Sequence, residues 1–496
     1  LKVFAGIFIS MKPTEILQHY WGYDQFRPGQ QAIVETILEG KDTLAIMPTG
    51  GGKSICFQVP ALLLPGLTLV ISPLISLMKD QVDALTRRSI PADYLSSSQT
   101  PEEQRSVYEK LNSNQLKLLY LSPERLQSRR FLTTIKTQRI SLLVIDEAHC
   151  ISEWGHDFRP EFRMIAPFVT QQARRPTVAA FTATATPKTQ IDICESLQLQ
   201  TPFKQVSSFA RINLGLQVIT CPSHFIQQML TFKLLLKHRN ESGIIYVSSR
   251  QTAENLSKVV RSLFPFSSIE AYHAGLTPKQ RTDIQERFIA DKIKIVVATN
   301  AFGMGIDKSN IRFVIHFHIP GSLEHYYQEV GRAGRDGKSS QTYLLYNENN
   351  LSIHLGLLDQ NEQITDKHRK QQLFKLHAMR TFATTKGCRM QLVLRYFGEA
   401  SDQACGQCDR CLEQIRQSKA LKNEVSFEID LLDQLEQLRQ HLAQTLKLSP
   451  STIATNKVLY QLALIRPTTA KHAGKLAGIG QGWIKQWWDK FAPLLS

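Results

Sequence analysis

Met47-Pro48-Thr49-Gly50-Gly51-Gly52-Lys53-Ser54 joins a glycine turn to a lysine and a hydroxyl. Such glycines let backbone N–H groups approach phosphate oxygens, and a helix opening at Lys53 adds partial positive charge. In a loop of this kind Lys53 reaches the β- and γ-phosphates and Ser54 ligates magnesium. The strict pattern has Gly where this chain has Met47, so the stretch alone also fits an ordinary loop. A second group narrows the choice. The apolar run Leu142 to Ile145 ends in Asp146-Glu147-Ala148-His149. Asp146 can hold magnesium through water, and Glu147 can take a proton from the attacking water. The two groups, in this order, point to phosphoryl transfer from a nucleotide.

A different chemistry is written in Cys388, Cys405, Cys408 and Cys411, spaced C-x16-C-x2-C-x2-C. Four thiolates suit tetrahedral zinc with no open position, hence a structural ion. Cys56, Cys150, Cys194 and Cys221 are scattered. A secreted disulfide framework would be denser in a shorter chain, so a reducing compartment is expected.

Elements must hold these groups. The chain has 496 residues, which at about 150 residues per domain gives roughly three domains. Apolar runs alternate with helical patterns: Thr43 to Met47, Leu69 to Ser72, Leu116 to Leu121, Leu142 to Ile145 and Val178 to Phe181. A second series follows at Gly243 to Val247, Ile269 to His273, Lys294 to Ala298, Phe313 to Phe317 and Thr342 to Tyr346. Runs apolar on both faces suit parallel strands covered by helices. Two series predict two doubly wound α/β domains, 11–207 and 208–346. The first ten residues read as an upstream extension before Met11.

Lys plus Arg number 59 against 43 Asp plus Glu, a formal charge of +16. That surplus fits a polyanion, nucleic acid or an anionic membrane, and fits a basic enzyme without such a partner. The longest apolar stretch, Ala61 to Ser72, is broken by Pro65 and Gly66, short of the ~20 residues a membrane span needs. Normal apolar content excludes a wholly disordered chain.

Further segments carry a resemblance. Phe26 to Gln30, Met47 to Ser54, Ser72-Pro73-Leu74, Asp146 to His149 and Phe181 to Thr186 occur in order. Ala298 to Asp307 and Gln328 to Gly337 follow. With them the chain resembles the RecQ group of superfamily-two helicases over nearly its whole length. That family tolerates Met at the first loop position. The resemblance implies two RecA-like domains with ATP between them. It implies Tyr23 stacking on adenine, and Arg27 and Gln30 reading the base edge. It also implies magnesium at Ser54 and Asp146, with Thr49, Gly50, Gly51, Gly52 and Lys53 around the phosphates. Gln328-Glu329-Val330-Gly331-Arg332-Ala333-Gly334-Arg335 resembles the arginine-finger motif; Arg335 and Arg332 both remain candidates.

The stretch after the acids, Cys150 to Pro160, carries Trp154, His156, Phe158 and Arg159. Aromatic faces stack on unpaired bases, at ~1–3 kcal/mol per base. Packing of the loop is the plainer reading; the resemblance implies coupling of DNA sensing to hydrolysis. Ser72, Ser122, Arg250 and Thr299 are expected to meet the strand's phosphates, which carry no sequence information. The implied activity is ATP-dependent 3′-to-5′ DNA unwinding in recombination and repair, on single-stranded and tailed duplex DNA. A translocase or annealing factor with weak unwinding, or a non-catalytic scaffold, are the alternatives. Single-strand-binding protein and a topoisomerase are implied partners, for a monomer in the cytoplasm or nucleoid.

The zinc module is expected over 347–412, a linker over 413–427 and a helical DNA-binding domain like the helicase-and-RNaseD C-terminal module over 428–496. Leu431, Leu435, Leu438, Leu442 and Leu446 lie on one helix face. Asn456 reads as an N-cap and Pro467 as a stop. Trp483, Trp487 and Trp488 fit either base stacking or core. The short interval after Cys411 leaves no room for the winged helix that many family members carry.

Overall fold

The computed structural model describes residues 11–495 apart from 156, 264–267, 304–307, 361–364, 417–418 and 477. The upstream extension 1–10 and His156 lie outside the described residues.

The first sheet contains β1 (Thr43–Ile46), β2 (Leu67–Ile71), β3 (Ala92–Leu95), β4 (Leu118–Leu121), β5 (Ile140–Ile145), β6 (Thr177–Thr182) and β7 (Phe203–Val206). Its order is β3-β4-β2-β5-β6-β1-β7, with every pairing parallel. Strands β1, β2 and β4 are buried along their whole length, as strands between two helical layers must be. Only β6 separates β1 from β5, so the loops leaving their carboxyl ends meet above the sheet. Those loops carry Lys53 and Asp146.

The second sheet contains β8 (Leu214–Thr220), β9 (Ser242–Tyr246), β10 (Ile269–Tyr272), β11 (Ile295–Ala298), β12 (Ile311–His316) and β13 (Ser340–Tyr346). Its order is β10-β11-β9-β12-β13-β8, again parallel. Every apolar run read from the sequence is a strand here. β3, β7 and β8 were not foreseen. All three are sheet edges with partly exposed side chains, so they lack the two-faced apolar run.

The cysteine-bearing module is built from helices Asp366–Thr384, Arg389–Tyr396 and Asp409–Arg416. It is wedged against both sheets' domains. Glu399 accepts from Ser208 Oγ at 2.6 Å and Phe209 N at 2.8 Å, at the junction between the sheets. Phe209 stacks on Phe397 with centroids 4.5 Å apart.

A long helix, Lys419–Leu446, follows. Apart from 417–418, the stretch 413–427 thus falls in the end of one helix and the start of the next. Leu431 and Leu435 are buried as their spacing predicts, whereas Leu446 is exposed at the helix end. The N-cap of helix Asn456–Ile465 is Thr455, not Asn456, because the Thr455 hydroxyl accepts from Val458 N. Trp487 is core, and Trp483 Nε1 donates to Ile453 O at 2.6 Å, so both serve packing. This helical unit docks on helix His224–Lys237 of the second domain. Tyr460 lies on Phe225, centroids 4.2 Å apart, and its hydroxyl donates to Gln228 Oε1 at 2.6 Å.

Among the described residues no helix is long and apolar enough to cross a membrane.

Candidate nucleotide site and nucleic-acid interface

The glycine loop leaves β1 and ends at Gly52, where helix Lys53–Leu63 begins. Gly52 has φ +77°, and a β-carbon there would collide with the Gln30 amide. Only glycine lets the loop pass this close. Gln30 Nε2 donates to the carbonyls of Gly51 and Gly52, at 3.0 and 3.2 Å, and its Oε1 accepts from Arg27 N. Arg27 Nη1 donates to Gly50 O at 2.8 Å. In this arrangement Arg27 and Gln30 brace the loop, and Tyr23 beside them is 51% exposed, a free face for stacking. Lys53 Nζ donates to Met47 O at 3.3 Å, and Ser54 is half-buried in the first helical turn.

Asp146 and Glu147 sit where β5 ends. Asp146 Oδ2 accepts from Ser72 Oγ at 3.4 Å and Oδ1 from Glu147 N at 3.0 Å. Burial, then the Glu147 charge, pushes the Asp146 carboxyl up to about 6. Glu147 has a left-handed backbone, φ +50°, the kind of local strain that concentrates at functional sites. Burial alone would raise its carboxyl. His149, with Lys53 and Arg332, outweighs burial and holds Glu147 well below the usual carboxylate range. His149 Nδ1 lies 3.3 Å from Glu147 Oε2 and 2.9 Å from Thr182 Oγ1. Two neighbouring carboxylates are thus driven apart in acidity, Asp146 the readier to hold a proton and Glu147 the one kept ionised.

The hydrogen bonds continue into the second domain. Thr182 Oγ1 donates to Thr184 O, and Gln328 Nε2 donates to Thr184 Oγ1 at 3.2 Å. The arginine turn faces the same cleft. A β-carbon at Gly50 would lie 3.5 Å from Arg335 Cγ, so Arg335 rests on the glycine loop itself. Arg332 is buried, and its charge helps lower Glu147. The structure therefore brings Lys53, Asp146, Glu147, Gln328, Arg332 and Arg335 to one cleft. The Thr182–Thr184 link was not foreseen; its residues lay inside a quoted motif, but a hydroxyl-to-backbone contact leaves no spacing signal.

The aromatic loop lies beside this cleft. Lys188 sits over the Trp154 ring, and Arg163 over Phe158, 5.1 Å from its centroid. Arg159 holds Asp157 at 3.0 Å and donates to Pro73 O at 3.0 Å, tying the loop to the Ser72-Pro73-Leu74 turn. Arg250 is exposed and Thr299 is nearly buried at the end of β11. Ser72 and Ser122 need correction as phosphate contacts. Both are buried, and their hydroxyls donate to carboxylates, Ser72 to Asp146 at 3.4 Å and Ser122 to the exposed Glu124.

The four cysteines converge as well. Their sulfur atoms all lie within 4.8 Å of one another. Three separations are 3.4, 3.8 and 4.0 Å. Tetrahedral zinc at about 2.3 Å from each sulfur requires roughly 3.8 Å between sulfurs, so the donor set fits zinc. Arg389 beside it is fully buried and pairs with Asp409 at 2.6 and 2.8 Å. Asp409 Oδ2 also accepts from Val218 N, latching the module to β8.

Comparison with known proteins agrees with this geometry. Residues 27–193 match the DEAD/DEAH box helicase family and 225–337 the helicase conserved C-terminal domain. Residues 350–412 match the RecQ zinc-binding domain and 428–495 the HRDC domain. The ATP-dependent DNA helicase RecQ of Bacillus subtilis is 43% identical over 410 residues, 81% of this chain and 67% of that protein. RecQ of Pasteurella multocida is 44% identical over 419 residues, 84% of this chain and 65% of that protein. The chain thus spans about two thirds of the length of these relatives. The probable ATP-dependent DNA helicase RecS of Bacillus subtilis is 38% identical, covering 85% of this chain and 83% of that protein. In fold, the chain is similar to the Mycobacterium smegmatis helicase Lhr, TM-score 0.56 at 20% identity, over 81% of this chain and 57% of that one. With two parallel-sheet motor domains, a four-cysteine module and relatives at this identity, the chain belongs to the RecQ family of ATP-dependent DNA helicases.

Proposed function

We propose that the chain is an ATP-driven motor that moves 3′-to-5′ on single-stranded DNA and separates tailed duplexes. The observation that carries this reading is the convergence of Lys53, Asp146 and Glu147 from one domain with Gln328, Arg332 and Arg335 from the other. A phosphoryl-transfer site split across two domains opens and closes with nucleotide state, and that is how hydrolysis becomes movement. The 3′-to-5′ sense rests on the family resemblance.

The chain's own groups divide the work. Lys53 and the loop N–H groups bind the phosphates. Ser54 and Asp146 would hold magnesium, which neutralises charge on those phosphates when bound. Glu147, ionised through its pairing with His149, takes a proton from the attacking water. Arg335, already against Gly50, is the arginine finger in this reading. Arg332 steadies the ionised Glu147. Tyr23 stacks on adenine. Trp154, Phe158 and Arg159 report the presence of a strand, with Arg250 and Thr299 on its backbone. Recombination and repair are the proposed setting, with single-strand-binding protein and a topoisomerase as partners of a cytoplasmic monomer.

ATP turnover with and without single-stranded DNA tests this. Wild type should be stimulated, and Lys53→Ala and Arg335→Ala should lose turnover in both conditions. An active Lys53→Ala protein would overturn the reading.

A further inference from the structure

Between the two sheets the chain runs from β7 to β8 through residues 207–213. The first half of this linker is held from two sides. Glu399 of the zinc module accepts from Ser208 Oγ and Phe209 N, and the Tyr327 hydroxyl donates to Phe209 O. Tyr327 lies on helix Leu323–Val330, which runs directly into the arginine turn.

The second half grips that turn. Arg211 Nη2 donates to the carbonyls of Ala333 and Gly334, at 3.0 Å each, and its Nη1 to Gly331 O at 3.4 Å. Asn213 Nδ2 donates to Gly334 O at 2.8 Å and to Lys338 O at 3.0 Å. Its Oδ1 accepts from Arg211 Nε at 3.3 Å, so the two side chains also hold each other. Gly331 O belongs to the peptide unit that leads into Arg332, and Gly334 O to the one that leads into Arg335. Gly334 is left-handed, φ +61°, and a β-carbon there would collide with Asn213 Nδ2. The turn is therefore shaped around the linker's side chains. A guanidinium presents its donors in one rigid plane, which fixes the direction of several carbonyls at once.

We propose that Arg211, with Asn213 beside it, is the positioning residue of the arginine turn, setting the backbone from which Arg335 meets the γ-phosphate. Its guanidinium is committed to backbone carbonyls, so it acts through Arg335 and not on the nucleotide itself. Hinge residues absorb the backbone change when two domains close. A linker that also holds this turn delivers Arg335 in register with closure, and the zinc module's grip on Ser208 and Phe209 fixes where that delivery starts. The proposal rests on the ATP-driven reading above and adds to it the element that aims the arginine.

Binding of a fluorescent ADP, alone and with aluminium fluoride and magnesium, tests it on the full zinc-loaded chain. The fluoride complex imitates the γ-phosphoryl group in transfer, which the completed site grips more tightly than the ground state. Arg211→Lys keeps the charge and loses the planar fork. It should leave ADP affinity within about twofold and weaken the fluoride complex about tenfold or more, since a misplacement of about 1 Å can cost about 100-fold. Asn213→Ala should show the same selective loss, and it decides by the same criterion if the lysine variant does not fold. In an Arg335→Ala background, Arg211→Lys should weaken the fluoride complex no further, because the two act as one unit. Equal loss of both ligands, or loss of neither, would overturn the proposal, as would full additivity with Arg335→Ala. If Arg335→Ala alone holds the fluoride complex as tightly as wild type, the arginine-finger reading fails instead.

Discussion

Lys375 Nζ donates to the Gly155 carbonyl oxygen at 2.6 Å, so a buried lysine of the zinc module holds the aromatic loop of the first motor domain. Gly155 in turn lies on His149, where a β-carbon would collide with the His149 carbonyl oxygen. His149 pairs with Glu147. A second tie, Lys367 to Glu153 at 3.1 Å, runs parallel on the surface. The zinc module is therefore joined through this chain of contacts to Glu147, the proposed base, and the proposed DNA contact on the aromatic loop lies along it.

Breaking the buried tie should uncouple DNA from hydrolysis. Lys375→Met keeps the stem and removes the charged donor, worth about 1.5–3 kcal/mol. Stimulation of ATP turnover by single-stranded DNA should fall roughly tenfold or more, while bound zinc is unchanged. Trp154→Ala should lose stimulation and keep ATP binding. Undiminished stimulation in both variants would refute the coupling.

Acidity should reveal the split carboxylates. Asp146 titrates near 6 and Glu147 stays ionised far below that. As pH falls through 6, Asp146 should take up a proton and give up the magnesium that the proposed site assigns to it. ATP turnover should therefore decline below about pH 6 at limiting magnesium, and excess magnesium should move the midpoint down, because cation and proton compete. The sign for stability is opposite. A carboxyl raised in the folded state contributes stability below its unfolded value, near 4, and loses it as pH rises through 6. A turnover midpoint indifferent to magnesium would contradict this assignment.

The zinc module should fail in two separable ways. Cys408→Ser should lose the metal and leave an unstable protein. Asp409→Ala keeps all four sulfur ligands but strands the buried Arg389 charge and frees Val218 N. Removing one partner of a buried pair costs about 3–5 kcal/mol. Thermal unfolding with zinc analysis distinguishes them: the second variant should bind zinc and still melt early.

The docked helical unit offers another test. Tyr460→Ala removes the ring on Phe225 and the bond to Gln228. Truncating a buried aromatic costs about 3–5 kcal/mol. Calorimetry should then show the C-terminal helices melting apart from the motor domains. A single unchanged transition would mean that this contact does not fasten them.

The residues gathered at the cleft and in the cysteine cluster were readable because the chemistry proposed for them forces local patterns. Glycines must precede Lys53, an apolar strand must end at Asp146, and cysteine pairs must sit two residues apart. The two-faced apolar strands were legible for the same reason. Edge strands such as β7 were not, since one flank meets solvent and propensity alone is weak. Ser72 and Ser122 looked like phosphate contacts because a serine after a strand is equally suited to capping a neighbouring carboxylate. Lys375 gave no signal at all: it is one polar residue on a helix, and only tertiary packing buries it against a distant loop.

Strand separation tests the central claim most directly. With ATP and magnesium, the protein should unwind a duplex bearing a 3′ single-stranded tail and leave a 5′-tailed duplex intact, and Lys53→Ala should unwind neither. Robust ATP turnover on both substrates without strand release, or release of the 5′-tailed duplex instead, would contradict it.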